Sequence, residues 1–273
     1  MAPAPVRRRR RGIVYQWLGW IMVLGALPFM ALTSTISQAL MVFGGTALFF
    51  GGAVLLRRGM KHSAPSGGDS LAEDARRPIV YLRSFADESD DYRLTSFLRG
   101  AFGLRISADI PAWASQEQFL LGKYLSKIGP YVAIGRPGEP LPELGAHRIY
   151  VGGAWEEQVL TLLRRARLVV IRAGSTRGLH WELSQIMAAV EPSRVLMILP
   201  VSRRGYARFR QSAPGPLQRL PERQPVERLV VFADDWSPAF LADRQSIDET
   251  LRPFLERQAI DPPQQSLTWK AKW

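Results

Sequence analysis

The chain contains no cysteine, so neither disulfides nor thiolate chemistry is open to it. Its three histidines, His62, His147 and His180, are scattered without metal-ligand spacing, so no metal site is expected. No acidic residue precedes Asp69. No G-x-G-x-x-G follows the first apolar strand, and no Gly-rich loop ends in Lys-Ser/Thr. Nucleoside triphosphate hydrolysis and a standard dinucleotide fingerprint are therefore disfavoured. Ser84 and Ser175 have no nearby His-Asp pattern, which argues against a hydrolase triad. No internal repeat is present.

What is there is uneven. The 273 residues suffice for one ordinary domain and an appendage. Ile13 to Leu32 carries no charge, and neither does Ile36 to Leu56. Each matches the roughly 20 residues that cross a hydrocarbon core of about 30 Å. Only Thr33, Ser34 and Thr35 separate them, so a tight antiparallel hairpin is expected. Gly25, Gly44, Gly45, Gly51 and Gly52 suit close helix packing, and Pro28 is tolerable as a kink. A signal peptide is the competing reading of the first run. The second run follows at once, however, and no small-residue cleavage site is evident.

Arg7 to Arg11 precede the first run, and Arg57, Arg58 and Lys61 follow the second. The turn between has no charge. The positive-inside rule then predicts a two-pass protein of the inner or plasma membrane with both termini cytoplasmic. These eight cations make up most of the formal net charge of +12. The remainder is nearly balanced, with no evident basic patch interleaved with aromatics, so no nucleic-acid partner is expected. The expected organisation is a basic N-terminus (1–12), a two-helix transmembrane hairpin (13–56), a flexible linker (57–77), an α/β domain (78–260) and a disordered tail (261–273).

Within the domain, short apolar runs alternate with helical spacing. Strands are expected at 79–82, 131–134, 168–171, 195–199 and 229–232, with a small extra one at 149–151. Helices are expected at 116–128, 155–166, 179–190 and 246–258, with a short one at 94–102. The Pro-rich stretch from 211 to 225 reads as a surface loop. This alternation predicts a parallel sheet with helices on both faces, and right-handed crossovers gather the strand-to-helix loops on one edge. Leu168 to Leu183 is the key stretch. It holds a β-branched strand, a Gly/Ser/Thr loop and a helix carrying Trp181 and Glu182, at the edge where open α/β sheets bind ligands. Arg83 and Arg136 can pair with phosphates or be solvated surface groups. The Gly135-Arg136-Pro137-Gly138 loop can offer backbone amides to an anion. Trp181 can stack on a ring or belong to the core. His180 can be a base or structural. Glu182 can be a buried acid of raised pKa or a helix N-terminal acid favoured by the macrodipole.

Several of these features together resemble the TIR-domain family over residues 78–200. The first strand ends in Arg83-Ser84-Phe85, with Asp87 close behind. A Gly/Pro loop, Gly135 to Gly145, follows the second strand. Ser175 precedes Trp181-Glu182-Leu183, although the Trp adjoins the Glu more closely than is usual. The resemblance implies a flavodoxin-like sheet and two alternative functions. One is a membrane-anchored signalling or interaction module that self-associates. The other is hydrolysis of NAD, or of a related nucleotide, as substrate rather than cofactor. Glu182 would then be catalytic, and Arg83, Ser84, Phe85, Arg136, Ser175 and Trp181 would shape the ligand pocket. Breaking an N-glycosidic bond develops an oxocarbenium-like cation, which a carboxylate can stabilise.

Overall fold

A computed structural model describes residues 9–35, 37–63, 66–83, 114–135, 146–150, 155–200, 202–242, 244 and 246–263. The helix expected at 94–102, the 136–145 loop and most of the expected tail lie outside these residues.

Two apolar helices open the chain. α1 spans Arg9–Thr33. A π-helical segment, Leu40–Gly44, leads into α2, Gly45–Ser63. Both are long and apolar enough to cross a bilayer. Their outward faces carry large apolar side chains, among them Trp17, Leu24, Leu27 and Phe43. Their inward faces carry glycine. Gly12 lies against Gly59, and Gly19 against Gly52; a Cβ on any of the four would come within 2.9 Å of the opposite backbone oxygen. The positions recur every seven residues on each helix, which keeps one seam facing its partner over several turns. Gly44 and Gly45 meet Phe29 and Met30, so the π segment sits level with Pro28, the proline inside α1. At the turn, the hydroxyls of Thr33, Ser34 and Thr35 donate to the carbonyls of Phe29, Ala31 and Leu32, satisfying helix-end acceptors.

A third helix, α3 (Gly67–Glu73), occupies part of the expected linker. Ser66 caps it, accepting from the Asp69 amide. It docks on the sheet: a Cβ at Gly67 would lie 2.5 Å from Ile149, and Ser70 hydrogen bonds the His147 ring at 2.5 Å. Composition alone read these residues as flexible because Gly, Ser and Asp are also turn formers. The tertiary contact decides otherwise.

The rest is a mixed α/β unit. Its strands are β1 (Ile79–Arg83), β2 (Tyr131–Ile134), β3 (His147–Ile149), β4 (Leu168–Arg172), β5 (Val195–Ile198), β6 (Leu229–Phe232) and β7 (Pro238–Phe240). Its helices are α4 (Ala114–Leu125), α5 (Trp155–Arg165), α6 (Arg177–Ala189), α7 (Arg203–Ser212) and α8 (Ile247–Arg257). The sheet order is β3-β2-β1-β4-β5-β6-β7. The first five strands are parallel, with Ile79 to Arg83 in register with Leu168 to Arg172.

The sequence pattern suggests a parallel sheet throughout, and the structure corrects this at its last two strands. β6 runs antiparallel to β5, and β7 antiparallel to β6. The reason lies in 213–228. Leu217 and Leu220 are buried there, so this stretch packs as part of the core. It carries the chain back so that β6 begins beside the end of β5. Arg228 fixes that return, its guanidinium donating to the Leu199 carbonyl at 2.9 and 3.1 Å. β7 follows through a tight turn in which Trp236 takes a left-handed φ of 63°. The Asp235 carboxylate holds that turn by accepting from the Ser237 amide and hydroxyl.

Alternation along the strands builds two cores. Leu82, Ile134, Ile171 and Met197 face α5, α6 and α7. Tyr81, Ala133, Val170 and Leu196 face α4 and α8. On the second face, the Tyr124 hydroxyl donates to Asp248 at 2.9 Å, and Arg252 pairs with the same carboxylate, joining α4 to α8. Burial pushes the Tyr124 hydroxyl above its ordinary range, and the Asp248 hydrogen bond adds to the shift.

Candidate functional site

β1 lies between β2 and β4, so the crossovers on its two sides run in opposite directions. A crevice at the carboxyl ends of such strands is where open α/β sheets bind ligands. Arg83 and Arg172, in register, close the two strands. The Cα atoms of such neighbours stand about 5 Å apart. Alternation puts both arginines on the α4/α8 side, since Tyr81 and Val170 lie in that core. Arg148 is on the same side, in register with Ala133 of β2. Arg83 and Arg148 are buried.

The opposite side of the edge belongs to α6. After β4 the chain runs through Ala173, Gly174 and the half-buried Ser175 to Thr176, whose hydroxyl accepts from the Leu179 amide and starts the helix. Leu179, Glu182, Leu183 and Ile186 are spaced three or four apart and form the buried stripe of α6. Glu182 thus enters a core stripe as its only polar member. It is 7% exposed and makes no hydrogen bond or ion pair with a described residue. Burial alone pushes its carboxyl pKa up to about 8. Burial therefore favours the protonated form of this acid.

Trp181, half-buried beside it, meets Trp155 edge-on, the ring centroids 4.8 Å apart at 65°. Trp155 opens α5, so this aromatic pair joins the N-terminal ends of α5 and α6. His180 points elsewhere, its Nε2 within 3.0 Å of the Ser212 hydroxyl. It is not part of an acid–base pair with Glu182.

The structure therefore gathers Trp181, Glu182 and Ser175 on one helix and its entry loop, and sets Arg83 at the same edge on the other face. A ligand touching both Glu182 and Arg83 has to lie across the ends of β1 and β4. Ser84, Phe85 and Arg136 lie outside the described residues. The chain matches no protein-family model, no curated protein and no solved structure. Three residues escaped sequence reasoning. Arg148 and Arg172 each lie one residue outside the strands expected at 149–151 and 168–171, and inside β3 and β4. Trp155 only marks the start of the helix expected at 155–166, and its contact with Trp181 is what links it to the candidate site.

Proposed function

We propose that the chain is a membrane-anchored signalling or interaction module. Its domain is TIR-like, of flavodoxin type, with both termini on the cytoplasmic side. The observation that carries this reading is the join between the apolar hairpin and the sheet. Only residues 64–66 separate the end of α2 from α3, and α3 is docked on β3. Such a join suits a domain working at a bilayer surface. The strand order, which reverses at β1, and the Ser84-Phe85 step after it support the TIR-like assignment. So do the arginines at the switch point, which suit a phosphate-bearing ligand.

The orientation is tested by labelling. The native chain has no cysteine, so Val226→Cys, at an 84% exposed site, gives a unique handle. An impermeant maleimide is expected to label it in inverted membrane vesicles and not in intact cells. Labelling from outside the cell overturns the orientation.

One observation favours a second reading, hydrolysis of NAD or a related nucleotide. Glu182 is buried and lacks a hydrogen-bond partner among the described residues, while an aromatic pair stands beside it. A carboxyl that structural hydrogen bonds do not use remains available to a ligand. Stabilising an oxocarbenium-like state calls for the carboxylate. Activity is therefore expected to rise toward pH 8, where the acid ionises, and to vanish in Glu182→Ala. Nicotinamide release from the full chain in detergent measures both. Release that survives the substitution removes Glu182 from the chemistry, and no release from the parent protein at any pH removes the hydrolase reading.

A further inference from the structure

The second exposed feature of the domain is a basic surface on α6 and α7. From Pro192 to Pro221 the chain has six arginines and no acid. α7 carries four of them, and its aromatic residues, Tyr206 and Phe209, are fully buried. Arg203, Arg204 and Arg208 are on its solvent side. The hydrogen bond between Ser212 and His180 ties α7 to α6. Arg208 is one turn from Ser212, and exposed Arg177 is one turn from His180, so both helices present cations around that contact. The only acid in either helix is the buried Glu182.

We propose that this face docks on anionic lipid headgroups of the bilayer that holds the hairpin. The inference rests on the membrane-anchored reading above. Three features select a lipid surface. Leu71 of α3 packs against the same core as α6 and α7, so the tether joins the domain at the β3 edge on the face of the sheet that bears the arginines. The three residues joining α2 to α3 extend no more than about 14 Å. A basic face held that close to a charged leaflet binds at high effective concentration, and each cation near the surface adds to the attraction. Finally, single-stranded nucleic acid is gripped by exposed aromatics on which bases stack, whereas the aromatics of α7 face inward.

The test uses the full chain in lipid nanodiscs, with a donor dye on Ala207→Cys, an exposed site on α7, and an acceptor on a trace of lipid headgroups. Energy transfer is expected to rise about twofold when about 30 mol % phosphatidylserine replaces phosphatidylcholine. The gain is expected to disappear at about 0.5 M salt, where surface charges are screened, and in Arg203→Glu/Arg204→Glu/Arg208→Glu. Neutralisation to Gln at the same three sites should remove most of it while leaving the thermal transition unchanged. Equal transfer in both lipid compositions overturns the proposal, as does a gain that the triple variant keeps. A salt-sensitive response to an RNA oligonucleotide without a response to anionic lipid assigns the face to nucleic acid and also overturns it. Failure of the chain to enter nanodiscs is a separate result, which overturns the anchoring itself.

Discussion

At pH 8 the Glu182→Gln variant is expected to unfold at a higher temperature than the parent protein, and at pH 5 the two are expected to unfold nearly together. The physical cause is the site of Glu182 in the buried stripe of α6, where only desolvation acts on its carboxyl. The folded state holds the proton up to about pH 8, whereas the unfolded chain releases it near 4.5. Between those values the folded state binds more protons than the unfolded one, so stability falls as pH rises. Each pH unit across the window removes about 1 kcal/mol, less where the site relaxes or admits water. Glutamine keeps the shape and a neutral polar head, so it escapes this loss. A difference of about 2–4 kcal/mol at pH 8 is expected, which for a domain of this size moves the midpoint by roughly 5–10 °C. Thermal unfolding of the full chain in detergent, followed by circular dichroism from pH 5 to pH 9, measures it. Parallel profiles for the two proteins would mean that Glu182 ionises in the folded state at the same pH as in the unfolded chain.

Opening of the apolar hairpin is the second large effect. A Cβ at Gly52 would stand 2.7 Å from the Gly19 carbonyl oxygen and 2.8 Å from Val23, and a Cβ at Gly19 would stand 2.8 Å from the Gly52 oxygen. Both obstacles include backbone, which no rotamer change relieves. Gly52→Leu therefore forces α1 and α2 apart. At a cost of about 3 kcal/mol the ratio of closed to open hairpin falls roughly a hundredfold. Gln16 and Ser63 are hydrogen bonded at 3.1 Å across the hairpin, so cysteines at these two sites report on closure by oxidative cross-linking. Cross-linking is expected to be fast in the parent background and nearly lost with Gly52→Leu. Gly25→Leu is the control: a Cβ there meets nothing within 4 Å, and cross-linking should stay fast. Equal cross-linking in all three backgrounds would show that the glycine seam does not hold the helices.

The elements themselves were largely legible. Buried parallel strands are continuous apolar runs, and 79–82, 131–134 and 168–171 read directly as such. The hairpin was equally plain, because two uncharged runs joined by three residues leave few alternatives. Direction and contact were harder to read. β6 has the same composition as a parallel strand, and what reverses it is the path of 213–228, held by Arg228. α3 was hidden because its stability comes from β3 and not from its own seven residues. At the candidate site, Glu182 stands out in the sequence by its place after a strand and a Gly/Ser loop. Its lack of a partner among the described residues depends on side chains far away in sequence, as does the meeting of its neighbour Trp181 with Trp155. Arg83 was expected beside Glu182, and the two-residue alternation of β1 puts it on the other face.

The sheet has two outer strands, and both are poor templates for another strand. β7 has three residues and begins with Pro238, which has no amide hydrogen to donate. β3 also has three, and α3 lies against it, with Gly67 so near that a Cβ would sit 2.8 Å from the His147 carbonyl oxygen. Among the described residues, neither border offers the long open row of amides and carbonyls on which chains stack edge to edge. Copies of this domain crowded together would therefore resist growing into a continuous intermolecular sheet. Any ordered assembly they form would be built through helical faces, which can be made and unmade without rewriting backbone hydrogen bonds.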